Sequence, residues 1–218
     1  MDERYGLGVP RSLEDAVADP RRVALLVYDM QVGILGQLAD GDRVLGQVMK
    51  VLEAARAAQL RTVFARHVTL PAELMGISQL RMWRSWQGAQ TASDVTSVFP
   101  PDAAQSQLVP ELVPASGEAV LDKITMSAFE GTWLDIALRD CGITTVVIVG
   151  VALEIGVEPT IRHAADLGYI PVAITDACGA GDSQAGQRSW ETLQFTGDTL
   201  LTDVDRFCAV LAQSTPPA

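Results

Sequence analysis

The chain has 218 residues, 48% of them hydrophobic and 20% charged, with a formal net charge of −11. Such a composition fits one soluble domain with a continuous core and excludes an intrinsically disordered chain. The negative balance excludes sequence-independent nucleic-acid binding, which needs a basic surface, and no run reaches the roughly 18 apolar residues that span a bilayer.

In chain order, residues 1–20 read as a mixed-charge N-terminal extension outside the core, 21–212 as the single domain and 213–218 as a Pro-containing tail. Met1-Asp2-Glu3-Arg4 is charged and no apolar stretch follows it, so the expected location is the cytoplasm. Apolar runs of strand length alternate with amphipathic stretches of helix length, the pattern of a parallel sheet covered on both faces. The strands are expected at Val23–Tyr28, Arg61–Ala65, Ala119–Leu121 running into Lys123, Thr145–Val149, Pro171–Ile174 and Thr199–Leu201. Helices are expected at about Asp42–Gln59, Thr132–Cys141, Glu158–Leu167 and Gln184–Phe195, with a last one after Thr202. Gly142 and Gly168 suit the left-handed position that closes a helix, and Asp203 suits the cap that opens one. The segment 68–118 holds Pro71, Pro100, Pro101, Pro110 and Pro114 and little periodicity, the character of a functional insertion.

In an open parallel sheet the ligand crevice lies beyond the carboxyl ends of the strands. Asp29, Arg66, Lys123, the turn Val151–Gly156 and Asp176 all fall there. A partly desolvated carboxylate at Asp29 suits proton transfer, and a nearby ammonium would hold its pKa down. Alone, Asp29 serves equally well as a turn cap, and Lys123 as a surface partner of Asp122. Cys141, Cys178 and Cys208 are odd in number with no CxxC spacing, so they read as buried thiols rather than a disulfide framework or zinc site.

The ordered set Asp29-Met30-Gln31, then Lys123 through Ser127-Ala128-Phe129 to Leu134, then Gly142-Ile143 and Val146 through Gly150-Val151-Ala152, resembles the isochorismatase-like hydrolase superfamily over roughly residues 20–210. The resemblance implies a Rossmann-like three-layer α/β/α fold with a six-stranded parallel sheet, a small-molecule substrate, a homodimer or homotetramer, and an Asp–Lys–Cys triad. In its amidase members a thiolate attacks an amide carbonyl, and backbone N–H groups of the nucleophile turn, here Ala152 and Gly156, hold the oxyanion. A cis peptide between Val151 and Ala152 is also implied.

This chain departs at the nucleophile, reading Glu154-Ile155-Gly156-Val157-Glu158 where amidases carry cysteine in the middle. True isochorismatases also place glycine there and cleave a vinyl ether by acid catalysis, with release of pyruvate. Their turn carries an aromatic and a His, where this chain has Ala152 and Glu154. Asp29 as acid, Lys123 as its electrostatic partner and Gly156 in the turn form the expected catalytic set. The alternatives are an amide hydrolase with its cysteine replaced at Gly156, and a non-catalytic binding protein that keeps the pocket.

Further substrate contacts are expected from Gln31, His67, Phe129 and Ala152. The stretch Gln79–Gln87 reads as a lid, with Trp83 and Trp86 as apolar walls and Arg81 and Arg84 as carboxylate clamps, or as a subunit interface. His67 and His163 are the only histidines and stand far apart, so no metal and no cofactor are expected.

Overall fold

The computed structural model describes residues 1–214; the tail residues 215–218 lie outside the described residues. A hairpin of β1 (Asp2–Arg4) and β2 (Leu7–Val9) and the short helix α1 (Leu13–Ala16) lead into β3 (Val23–Tyr28), all of whose six residues are buried. Burial at every position is what a central parallel strand with helices on both faces requires. Period-two alternation divides its side chains: Val23, Leu25 and Val27 join one core cluster, and Ala24, Leu26 and Tyr28 the other.

The remaining elements are α2 (Val32–Leu35), α3 (Gly41–Ala57), β4 (Arg61–His67), α4 (Ile77–Gln87), β5 (Ala119–Lys123), α5 (Leu134–Asp140), β6 (Thr145–Val151), α6 (Glu158–Asp166), β7 (Ile170–Gly179), α7 (Ser183–Thr196), β8 (Leu200–Thr202) and α8 (Val204–Gln213). A π-helical turn, Leu153–Val157, joins β6 to α6. The first cluster packs under α3 and α8 through Val44, Val48, Val51, Phe207 and Leu211; the second packs under α5, α6 and α7 through Leu134, Leu138, Ile161 and Leu193. The sheet order is β5-β4-β3-β6-β7-β8, and all five pairings are parallel. This is the three-layer α/β/α architecture expected from the sequence.

Strand order fixes the place of chemistry. From β3 the chain moves outward to β4 and β5, then returns to lay β6 on the other side of β3. The reversal opens a crevice between the carboxyl ends of β3 and β6, the usual ligand position in such sheets. Gly150 lets the two strands close up at that end: it pairs with Tyr28, and a Cβ there would stand on the Tyr28 carbonyl oxygen and 2.8 Å from its nitrogen.

Several expectations change. Leu13, Ala16 and Val17 are buried in the first core cluster, so the N-terminal segment is not wholly outside the core. Strand β7 runs to Gly179, past the expected end at Ile174, because beyond a bulge Cys178 and Gly179 continue pairing with Gly150 and Val151. Asp176 therefore lies within the strand, and its carboxylate accepts from Gln47 Nε2 (2.8 Å) and the Val204 N–H (2.9 Å), tying α3 and α8 to the sheet. Of the cysteines only Cys178 is buried; Cys141 is exposed. Gly142 and Gly168 do take positive φ, and Asp203 does cap α8 through the Arg206 N–H.

Candidate active site

Asp29 follows β3 directly and adopts φ = +48°, a left-handed conformation uncommon for a residue with a side chain. Its N–H donates to the Ala65 carbonyl (3.0 Å) while its own carbonyl accepts from the Gln31 N–H (2.7 Å), so the turn is fixed from both sides. Such backbone outliers persist where the surrounding structure over-determines them. Lys123, at the end of β5, lies opposite His67 in register, and its side chain crosses the end of β4 to place Nζ 2.9 Å from Asp29 Oδ2. The ammonium also donates to the Thr125 carbonyl (3.3 Å) and lies 4.2 Å from the centre of the Tyr28 ring. Its side chain has 0% exposure. Asp122, the surface partner considered for Lys123, instead takes a two-pronged bond from Arg66, whose guanidinium also reaches Gln107, so Arg66 serves the strand end.

The other Asp29 oxygen, Oδ1, is buried and has no hydrogen-bond partner among the described residues. Asp29 belongs to the wall of a cavity of about 450 Å³. Burial raises the Asp29 carboxyl to about 6, against the opposing pull of Lys123, and burial likewise lowers the Lys123 ammonium from its ordinary value. For both members of the pair the loss of solvation outweighs the mutual attraction, as is common for buried ion pairs. The result is a carboxyl group that exchanges a proton near neutral pH inside a cavity.

His67 closes β4 on the same wall. Its Nε2 is buried without a partner among the described residues, and burial together with Lys123 pulls its pKa down to about 3, so the ring is neutral. Gln31 does not reach the cavity. Its amide accepts from the His67 N–H (2.7 Å) and donates to the His67 (2.9 Å) and Ser106 (2.8 Å) carbonyls, which makes it the clamp that sets the end of β4.

The opposite wall is the turn after β6. The Val151–Ala152 peptide is cis, as the resemblance implied, and Ala152 and Gly156 both line the cavity. The Gly156 N–H donates to the Ala152 carbonyl (3.0 Å) within the π-helical turn, so it is engaged rather than aimed at a ligand. Cys178 offers no replacement nucleophile: it is buried, its thiol faces the Ile148 carbonyl, and burial pushes its pKa up to about 12.

The lid region divides by helical geometry. On α4, Trp83, Trp86 and Gln87 share one face three and four residues apart and cover the cavity, with Phe99 beside them. Trp83 packs edge-on to Trp86 (5.3 Å between ring centres) and lies 6.0 Å from His67. Arg81 and Arg84 are exposed and absent from the lining, so the expected carboxylate clamp does not form; residues at those offsets from Trp83 project away from the face it presents. Phe129 is likewise not on the wall. It is buried against Tyr169 and His163, each with ring centres 5.7 Å away. Among the described residues, the cavity wall thus carries Asp29 and no lysine or arginine.

Further wall residues went unrecognised in the sequence, among them Tyr28, Ile34, Gln37, Val98, Phe99 and Met126. An aromatic hydroxyl closing an otherwise aliphatic strand is a signal for Tyr28; Met126 and Phe99 lie in loops without periodicity and give none. Among the described residues no group of three or more His, Cys, Asp or Glu side chains gathers as a metal site, and no helix is long and apolar enough to cross a membrane.

Fold and site together define the class: a Rossmann-like α/β protein with a buried Asp–Lys pair at the switch point of its sheet. The isochorismatase domain family matches residues 23–204, and the chain belongs to that family. It is 30% identical to the ureidoacrylate amidohydrolase RutB of Serratia proteamaculans, over 94% of this chain and 89% of that protein. Its fold superposes on a cysteine hydrolase from Pseudomonas syringae pv. phaseolicola with a TM-score of 0.78 at 22% identity, covering 90% of this chain and 95% of that one. It also superposes on the N-carbamoylsarcosine amidase of Thermoplasma acidophilum with a TM-score of 0.67 at 25% identity, covering 84% of this chain and 97% of that one.

Proposed function

We propose that this hydrolase works without a covalent acyl intermediate, as an acid-catalysed vinyl-ether hydrolase in which Asp29 is the proton donor. The observation that carries the reading is Asp29 on the cavity wall: its carboxyl is raised to about 6, its Oδ1 is buried with no hydrogen-bond partner among the described residues, and Ala152 and Gly156 on the opposite wall carry no nucleophilic side chain. Protonated Asp29 gives its proton to the terminal carbon of the enol ether, whose oxygen then shares the positive charge of an oxocarbenium ion. The Asp29 carboxylate left behind is held by Lys123 and stabilises that cation across the cavity. Water adds to the oxocarbenium carbon and returns a proton to Asp29, and the hemiketal divides into a carbonyl compound and an alcohol. Trp83, Trp86 and Phe99 supply an apolar cover that limits bulk water around the charged intermediate.

A wall without lysine or arginine favours an uncharged or singly charged enol ether over isochorismate, whose two carboxylates would lack countercharges. The test is a panel of enol ethers that includes isochorismate, followed by proton NMR in heavy water. Turnover places one solvent deuterium on the former terminal carbon, and Asp29→Asn abolishes it while ligand binding persists. Absence of turnover across the panel refutes the reading.

A second reading, water-mediated amide hydrolysis, is favoured by the likeness to an amidohydrolase. There Asp29 acts as a base and must be ionised. Retention of the pocket for binding alone is the outcome in which ligands bind and none turns over. The three unpaired cysteines suit the reducing cytoplasm as the place of action.

A further inference from the structure

A cysteine at position 156 would have no room. A Cβ built on Gly156 falls on the Tyr28 hydroxyl, 2.5 Å from ring atom Cζ and 2.7 Å from Cε1. Real Cβ contacts do not come this close, so either the ring or the turn must move. The ring is not free to do so. Tyr28 is 1% exposed, its hydroxyl donates to the Met126 carbonyl, and its face carries Lys123 Nζ at 4.2 Å. Its backbone belongs to β3 and pairs with both β4 and β6. Burial and the neighbouring Asp29 charge hold the phenol far above its ordinary pKa, so it stays neutral and is no substitute nucleophile.

From this geometry we infer that Tyr28 is the specificity-determining partner of Gly156: its ring occupies the space a nucleophilic side chain would need, closes the covalent route at the turn and steers the reacting atom of the substrate towards Asp29. The cation–π contact with Lys123 is the second half of that role. In a triad the ammonium would face a thiolate beside Asp29; here the ring face covers it. Residues 28 and 156 therefore form a coupled pair, and substitution of Gly156 alone does not restore a working nucleophile. The inference concerns the same cavity but not the choice of substrate, so it stands or fails separately from the enol-ether reading.

The experiment is a double-substitution cycle in the full chain. Gly156→Ala adds only the Cβ, and it lowers the Tm in the parent and in Tyr28→Phe, which keeps the colliding ring. It is tolerated in Tyr28→Val, or in Tyr28→Leu should the valine variant fold poorly. An equal cost of Gly156→Ala in the ring-bearing and ring-less backgrounds overturns the inference. A chemical readout separates specificity from packing. With exposed Cys141 changed to Ser, Gly156→Cys is combined with Tyr28→Val and treated with iodoacetamide, and alkylation at position 156 is followed by peptide mass. The thiolate displaces iodide on the order of tenfold faster in the double variant than in Gly156→Cys alone, because the thiol then lies open beside Lys123. With p-nitrophenyl acetate the same thiolate attacks the ester carbonyl and expels p-nitrophenolate, giving a burst of one equivalent. Equal alkylation rates in the single and double variants, or no burst from a folded double variant, overturn the inference.

Discussion

The pH dependence of turnover follows from the proton on Asp29. With its carboxyl raised to about 6, roughly nine-tenths of the molecules carry the proton at pH 5, about a tenth at pH 7 and about a hundredth at pH 8. A raised carboxyl that must be protonated to act gives activity at low pH that is lost as pH rises through its folded value. For an enol-ether substrate, kcat/KM is therefore level below about pH 5 and falls about tenfold per pH unit above about 6.5. His67, lowered to about 3, contributes no limb in this window. The assay is the initial rate of enol-ether loss in buffers of constant ionic strength, with the uncatalysed acid hydrolysis subtracted at each pH. Asp29→Asn flattens the profile to the uncatalysed rate. A profile that instead rises through pH 6 refutes the acid role, because it makes the carboxylate the active form, as water-mediated amide hydrolysis requires. A level profile refutes the link between Asp29 and the chemistry altogether.

Lys123→Met removes the cation that holds the Asp29 carboxyl down, so the falling limb moves up by about one to three pH units while the plateau drops, as read from the same profile. Arg81→Ala and Arg84→Ala leave KM unchanged, since both side chains are exposed and off the cavity wall; a rise in KM for carboxylate-bearing substrates alone would restore the clamp. Gln31→Leu strands the His67 N–H and two buried carbonyls and costs about 3 kcal/mol or more in denaturant unfolding, with activity falling because His67 and the strand end beside Asp29 lose their clamp.

How far the site could be read from the sequence depended on whether each residue announced itself through local pattern. Asp29, Lys123, Ala152, Gly156 and His67 stand at the ends of apolar runs, and the parallel-sheet rule sends strand ends to one rim. Trp83 and Trp86 were separable from Arg81 and Arg84 only once the phase of α4 against the cavity was fixed, because its weak periodicity leaves the inward face undetermined. Phe129 shows the same limit: it follows Lys123 closely in sequence, yet the chain turns it towards Tyr169 on α5's side of the sheet. Asp176 was misplaced because a strand's apolar run ended before its hydrogen bonding did.

Determined by the sequence alone were the alternation of strand and helix, the family and the absence of a thiol at position 156, all carried by residue identity and local order. Only the tertiary structure decided that Lys123 reaches across β4 to Asp29 rather than pairing with Asp122, that the Gln31 amide is taken up by backbone groups of His67 and Ser106, and that the Tyr28 ring fills the space beside Gly156. Each of those depends on which side chains compete for one buried volume at the switch point between β3 and β6. That competition is settled by packing and desolvation among residues far apart in the chain, which no local pattern records.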